Sequence, residues 1–117
     1  MAEWREVASL ERLTSERRVV VRLGGREIGV LADPDGGEPR AIRNRCPHAG
    51  APLGLGRVEV RGTGTPGHYE CGTEQVIRCP WHGWEFGLAD GRCPDDARMR
   101  VAVYPVRVVS GTVEVYA

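Results

Sequence analysis

Arg78-Cys79-Pro80-Trp81-His82-Gly83-Trp84-Glu85-Phe86-Gly87 and its shorter upstream counterpart, Cys46-Pro47-His48-Ala49-Gly50, decide how this chain is read. Each holds a Cys and a His separated by one or two residues, with Gly behind and Pro directly after the Cys. Thiol and imidazole that close in sequence can be turned toward one metal centre by a tight loop, and Pro stiffens that loop by fixing φ. Thirty residues lie between His48 and Cys79, so two separate loops would supply two Cys and two His.

Outward from these loops, composition frames the rest. At 117 residues the chain suits a single domain, 1–117, able to bury a real core but too short for two lobes with a cleft between them. The 16 basic and 16 acidic side chains cancel, which gives no reason to expect nucleic acid or an anionic membrane as partner. Gly at 16, Pro at 8 and abundant Val point to an all-β domain with many turns. The start, Met1-Ala2-Glu3-Trp4-Arg5-Glu6, has no apolar leader stretch. Arg17-Arg18 imitates a twin-arginine signal, but Arg22 and Gly24-Gly25 cut off Val19-Val20-Val21, and the pair reads as solvated strand-edge charge. No membrane span is expected. Four Cys without secretory features favour metal ligands or free thiols over disulfides, and a cytoplasmic protein.

Along the chain, Trp4 to Val7 reads as a first strand and Ser9 to Thr14 as a connection with room for one helical turn behind a Ser cap. Arg18 to Leu23 and Arg26 to Leu31 are β-rich runs that meet at Gly24-Gly25, the strongest two-residue hairpin signal in the sequence. Asp33-Pro34-Asp35-Gly36-Gly37 is a turn by composition. Arg40 to Arg43 then restarts as a strand that delivers Asn44, Arg45 and the first loop, about 44–56. An inserted hairpin of about 57–75 follows, with Val58 to Arg61 as a strand and Gly62 to Gly67 as a flexible loop. Glu74 to Arg78 leads into the second loop, about 78–91, where Glu85-Phe86 to Leu88 is expected to fold back through Ala89-Asp90-Gly91 as a third hairpin. Val101 to Tyr104, Val106 to Val109 and Thr112 to Tyr116 read as the last strands, with a turn at Ser110-Gly111.

From the residues alone, two occupants of the ligand set stay open. Zinc takes two Cys and two His tetrahedrally, as a structural staple. A [2Fe-2S] cluster takes both Cys on one iron and both His on the other. Zinc, however, needs neither the two Gly nor the His82-Gly83-Trp84 sequel. Taken together, Cys46-Pro47-His48-Ala49-Gly50-Ala51-Pro52-Leu53, Cys79-Pro80-Trp81-His82-Gly83-Trp84-Glu85-Phe86 and the following Asp90-Gly91 make the chain resemble Rieske-type ferredoxins of bacterial oxygenase systems, over roughly its whole length. The resemblance implies the Rieske iron-sulfur fold: antiparallel sheets with a small cluster-binding subdomain formed by the two loops. It implies one [2Fe-2S] cluster per chain, with Cys46 and Cys79 on one iron, His48 and His82 on the other, and the His edge as electron port.

On the same basis Gly50, Gly83 and Trp84 are expected around the cluster. The two glycines would let backbone come close and aim N–H groups at its sulfurs. Two ferric irons, two sulfides and two thiolates cancel with neutral imidazoles, so reduction leaves one buried negative charge, and nearby donors raise the potential. Respiratory Rieske proteins carry an inter-loop disulfide and Ser and Tyr hydroxyls directed at the sulfurs. Here Ala51 and Trp81 stand for the disulfide, Trp84 for the Ser and Phe86 for the Tyr. That implies a potential near the bottom of a range of about −150 to +300 mV.

The implied role is one-electron transfer between a flavin-dependent reductase and a terminal oxygenase or another redox enzyme. Two alternatives stand beside it: a small subunit of a larger redox enzyme, similar to that of assimilatory nitrite reductase, and a redox-responsive accessory protein. A full oxygenase needs a further iron on two His and a carboxylate. Of three His in the chain only His68 would remain, so the chain is expected to carry electrons and not to be an enzyme itself.

Other features have bland and sharp readings. Cys71 and Cys93 are read as unpaired, partly buried thiols. His68 with Cys71 imitates a second metal pair but offers too few ligands. Trp81 and Trp84 either shield the cluster or cap the apolar side of a loop. Arg43, Arg45 and Arg78 are either solvated strand-edge charges or a surface for an acidic partner. The 57–75 insert is either a tolerated surface hairpin or a recognition arm.

Overall fold

Among the described residues, four antiparallel sheets and one α-helix organise the chain. The computed structural model describes residues 2–33, 36–47, 50–65, 68–81, 83–94 and 96–117, the side chains of 60–65, 68–74 and 97 excepted. Strand β1 (Trp4–Ser9) runs directly into α1 (Leu10–Glu16), and the Ser9 side chain accepts from the Arg12 amide at 3.1 Å, the cap that the sequence suggests. The helix makes more than the single turn expected, and its Leu13 is fully buried. It closes at Arg17, left-handed at φ 75°, whose amide donates to the Leu13 carbonyl at 2.8 Å.

Strands β2 (Arg18–Leu23) and β3 (Arg26–Leu31) have the predicted bounds and turn at Gly24-Gly25, where both φ angles are positive, as a type I′ hairpin requires. β3 also pairs with β4 (Arg40–Arg43). This sheet is a wall between two cores, because antiparallel partners share a face. Val30 and its partner Ala41, with Ile28, face one core, which also takes Leu13, Val19, Val113 and Val115. Ile42 and Leu31 lie on the opposite face, in the core beneath the two Cys loops. Each fully buried Ile, Leu or Val contributes about 1.5–3 kcal/mol, so both cores matter to a domain of this size.

On the loop side, a 3₁₀ turn, Leu53–Leu55, follows the first loop. The insert is then more regular than its composition suggests. Strands β5 (Arg57–Thr65) and β6 (His68–Arg78) stay paired out to Thr65 and His68, with an irregularity after Arg61. The expected flexible loop at Gly62 to Gly67 is therefore corrected for 62–65, which belong to β5. The ladder satisfies backbone N–H and C=O groups without help from side chains, and a bulge absorbs the extra residues of β6.

The third hairpin is corrected too. β7 (Glu85–Gly87) pairs with β6, whereas β8 (Arg92–Cys93) pairs with β9 (Asp96–Arg100), a strand the sequence reading missed. At the turn the Gly91 amide donates to the Gly87 carbonyl and Asp90 accepts from the Arg92 amide at 3.0 Å. The Gly91 carbonyl takes the Val101 amide at 2.9 Å, so the chain is led away from β7 instead of back along it. Finally β10 (Val103–Tyr104) pairs with β4, and β11 (Val106–Val109) with β12 (Thr112–Tyr116) around Ser110-Gly111; β12 also pairs with β1. Among the described residues no helix is long and apolar enough to cross a membrane.

Candidate metal centre

The two loops are built on one hydrogen-bond plan. In the first, the Cys46 amide donates to the Ala51 carbonyl at 2.8 Å and the Gly50 amide donates back to the Cys46 carbonyl at 2.8 Å. In the second, the Cys79 amide donates to the Trp84 carbonyl at 2.7 Å and the Gly83 amide to the Cys79 carbonyl at 3.0 Å. Gly50 and Gly83 close these turns at φ 74° and 72°, a conformation that costs an L-residue roughly 1–2 kcal/mol. Each amide serves the carbonyl of its own Cys, and what glycine contributes is the left-handed turn.

The plan carries Cys46 and Cys79 inward. Both are buried, at 0% and 2% exposure, in one apolar cluster with Leu53, Ile77 and Phe86. The predicted ligands His48 and His82 lie outside the described residues, as does the side chain of His68. Among the described residues alone, no three His, Cys, Asp or Glu side chains could hold a metal ion. Trp84 packs half-buried against the same cluster, as a loop cap would, whereas Trp81 is 59% exposed. Ala51 and Phe86 are fully buried and bring no hydroxyl or sulfur to the site. Cys93 carries a free thiol and is buried in this cluster, deeper than the sequence reading had it; the Cys71 side chain lies outside the described set.

Beneath the shared plan the supports differ. The first loop is held by groups the sequence reading passed over. Arg18, expected as a solvated strand-edge charge, is instead partly buried and donates through one Nη1 to the carbonyls of Gly54 and Gly56, both at 2.8 Å. Asn44 accepts from the Gly54 amide at 2.7 Å. Gly29 of β3 has no room for a side chain, since a Cβ there would stand 2.9 Å from the Gly54 Cα. These residues pin the 3₁₀ turn to the central sheet. The sequence signals for the Arg18 and Gly29 contacts are three glycines and an arginine whose contacting pairs lie 25 to 38 residues apart, which no local pattern links. The second loop instead grows from the β6–β7 ladder, where Arg78 pairs with Glu85, and Arg78 lies 3.3 Å from Glu59 and 3.9 Å from Glu85.

The sulfur half of a [2Fe-2S] site fits these residues: two thiols on twin turns, brought into one apolar cluster with no buried charge among the described residues. Comparison with known proteins agrees. The chain is 39% identical over 90 residues to the oxygenase component of chloroacetanilide N-alkylformylase from Rhizorhabdus wittichii, a match over 77% of this chain and 21% of that protein. It thus spans about a fifth of the curated relatives it first matches. Several solved structures match nearly end to end, two of them at more than 25% identity. One, from Mycobacterium tuberculosis and assigned as an NADH-dependent nitrite reductase small subunit, has a TM-score of 0.82 at 29% identity, covering 100% of this chain and 96% of that one. The other is the ferredoxin of carbazole 1,9a-dioxygenase from Nocardioides aromaticivorans, with a TM-score of 0.71 at 26% identity, covering 96% and 95%. With residues 3–105 matching the pattern of the Rieske [2Fe-2S] domain, and with twin Cys loops of this geometry, the chain belongs to the Rieske [2Fe-2S] family.

Proposed function

We propose that this chain is a one-electron carrier whose [2Fe-2S] cluster is held by Cys46 and Cys79 on one iron and His48 and His82 on the other. The observation that supports it most directly is the pair of matched turns that bring Cys46 and Cys79 into one apolar cluster. When bound, the group supplies a one-electron couple. The chain's part is to hold the thiols dry, to fix both loops against rearrangement, and to leave the loop tips near solvent, where Pro47, Pro80 and Gly83 are exposed. None of its residues need act as acid, base or nucleophile, so the chain itself is not an enzyme on this reading. Its proposed partners are a flavin-dependent reductase and a terminal oxygenase, in the cytoplasm.

Phe86, fully buried and without a hydroxyl, and Ala51, without a sulfur, support a low potential. Voltammetry of the loaded protein should give a midpoint below zero, toward about −150 mV; one well above zero overturns this part of the reading. For the role itself, the purified protein is mixed with NADH and flavin reductases while its visible absorbance is followed. Bleaching by a reductase and recovery on adding an oxygenase is the expected result.

One observation favours a second reading, a small subunit of a nitrite-reducing enzyme: the end-to-end match to the Mycobacterium tuberculosis structure. Tight association with a large enzyme subunit, with no bleaching by any free reductase, would select it.

A further inference from the structure

The basic side chains of this protein are distributed unevenly around the two loops. All 16 are Arg, the side chain whose planar fork matches a carboxylate. Beside the second loop, Arg78 is neutralised from within by Glu59 and Glu85. Beside the first, a cleft of about 250 Å³ is lined by Arg22, Arg43 and Arg45, together with Asn44, Gly50 and Pro52. Among its described lining residues the one carboxylate is Glu27, which reaches Arg22 only at 4.0 Å and takes the Asn44 amide at 3.4 Å. Arg43 and Arg45 meet no carboxylate among the described residues. The lining therefore holds a local excess of two positive charges on a chain of net charge zero.

We propose that this cleft receives a carboxylate-bearing segment of the protein that exchanges electrons with this chain. The inference rests on the electron-carrier reading and gives that partner a chemistry. Arg45 sits against Gly50, its Nη2 3.4 Å from where a Gly50 Cβ would be, so an acidic segment bound there lies directly against the first ligand loop. The internal pairing of Arg78 leaves the second loop without such an attraction. Docking is thus biased to one side of the cluster, with electrostatic steering raising the encounter rate and orienting it.

The test follows bleaching of the loaded protein in stopped flow, with dithionite as an anionic one-electron donor. Three proteins are compared: wild type, Arg43→Glu with Arg45→Glu, and a charge-matched control on the helix, Arg12→Glu with Arg17→Glu. For wild type and control, the rate should fall at least about threefold as salt rises from about 20 to about 200 mM, because screening removes the attraction. The Arg43/Arg45 variant should show a flat or reversed dependence. Hexaglutamate peptide should slow wild type but not that variant, and inorganic phosphate at equal charge should slow wild type less than the peptide does. An unchanged salt dependence in the Arg43/Arg45 variant overturns the proposal, as does equal competition by phosphate, which would make the cleft a simple anion site. Absence of bleaching in all three proteins would instead sink the electron-carrier reading, and the docking proposal with it.

Discussion

The first and second Cys loops share a hydrogen-bond plan but not a foundation. Both close with a Cys amide on the carbonyl five residues ahead and a left-handed Gly amide on the Cys carbonyl. Yet the first is pinned by Arg18, Asn44 and the Gly29–Gly54 contact to a distant sheet, while the second is an extension of the β6–β7 ladder. The loop's shape is therefore a local property of Cys-Pro and Gly, and its position is a property of whatever it is anchored to. A two-loop site needs both, since two correct turns in the wrong relation could not share one cluster.

Removing either thiol should have the largest effect. Cys46→Ala and Cys79→Ala are each expected to abolish the visible absorbance and EPR signal of the loaded protein. Retention of a normal signal by one of them would break the equivalence of the loops. Next comes the anchor peculiar to the first loop. Arg18→Met strips two carbonyls of a charged donor and should cost about 2 kcal/mol in chemical denaturation. It should also speed cluster loss, and a variant with wild-type stability and cluster lifetime would show that the 3₁₀ turn holds itself. Gly50→Ala and Gly83→Ala should cost about 1–2 kcal/mol each through positive φ. The two costs should be similar, because a Gly50 Cβ would stand at ordinary contact distance, 3.4 Å, from the flexible Arg45 guanidinium, and a Gly83 Cβ would have no neighbour within 4 Å among the described residues.

The smallest effect belongs to a pair outside both loops. Three hydrogen bonds join Arg98 to Asp96, and the Arg98 side chain, followed by its backbone amide, holds the Asp96 carboxyl below its ordinary value of 3.8. A carboxylate whose pKa is lowered by folding stabilises the folded state above its ordinary pKa, and this is lost as pH falls through the lowered value. Asp96→Asn should thus be slightly less stable than wild type at pH 7, with the gap closing in acid. Both side chains are solvent-screened, so the difference will be slight. A gap that persists at the lowest pH would point to the side-chain cap on the Arg98 amide, which Asn can retain only in part.

Elements that rest on local chemistry were legible in the sequence. The Gly24-Gly25 hairpin, the bounds of β2, β3 and β4, the Ser9 cap and the Ser110-Gly111 turn all follow from residues in contact along the chain. Where local and distant bonding compete, local composition misleads. Ala89-Asp90-Gly91 has hairpin composition, but the Gly91 carbonyl is taken by Val101 and β8 turns to β9. Gly62 to Thr65 has loop composition, but a partner strand was there to pair with it. Arg18 looked like a surface charge because the carbonyls it serves are 36 and 38 residues away.

By itself the sequence determined the ligand set to look for and the family, because thiol, imidazole, Pro and Gly at those spacings suit few other purposes. It also determined the twin turns, since left-handed φ is affordable chiefly to Gly. Only the tertiary structure decided that Cys46 and Cys79 share one apolar cluster and that an arginine from β2 holds up the first loop. It alone decided that Arg78 is neutralised while Arg43 and Arg45, beside the other loop, meet no carboxylate among the described residues. Those facts depend on which groups meet across the fold, and burial, long-range hydrogen bonds and local charge excess exist only once they have met.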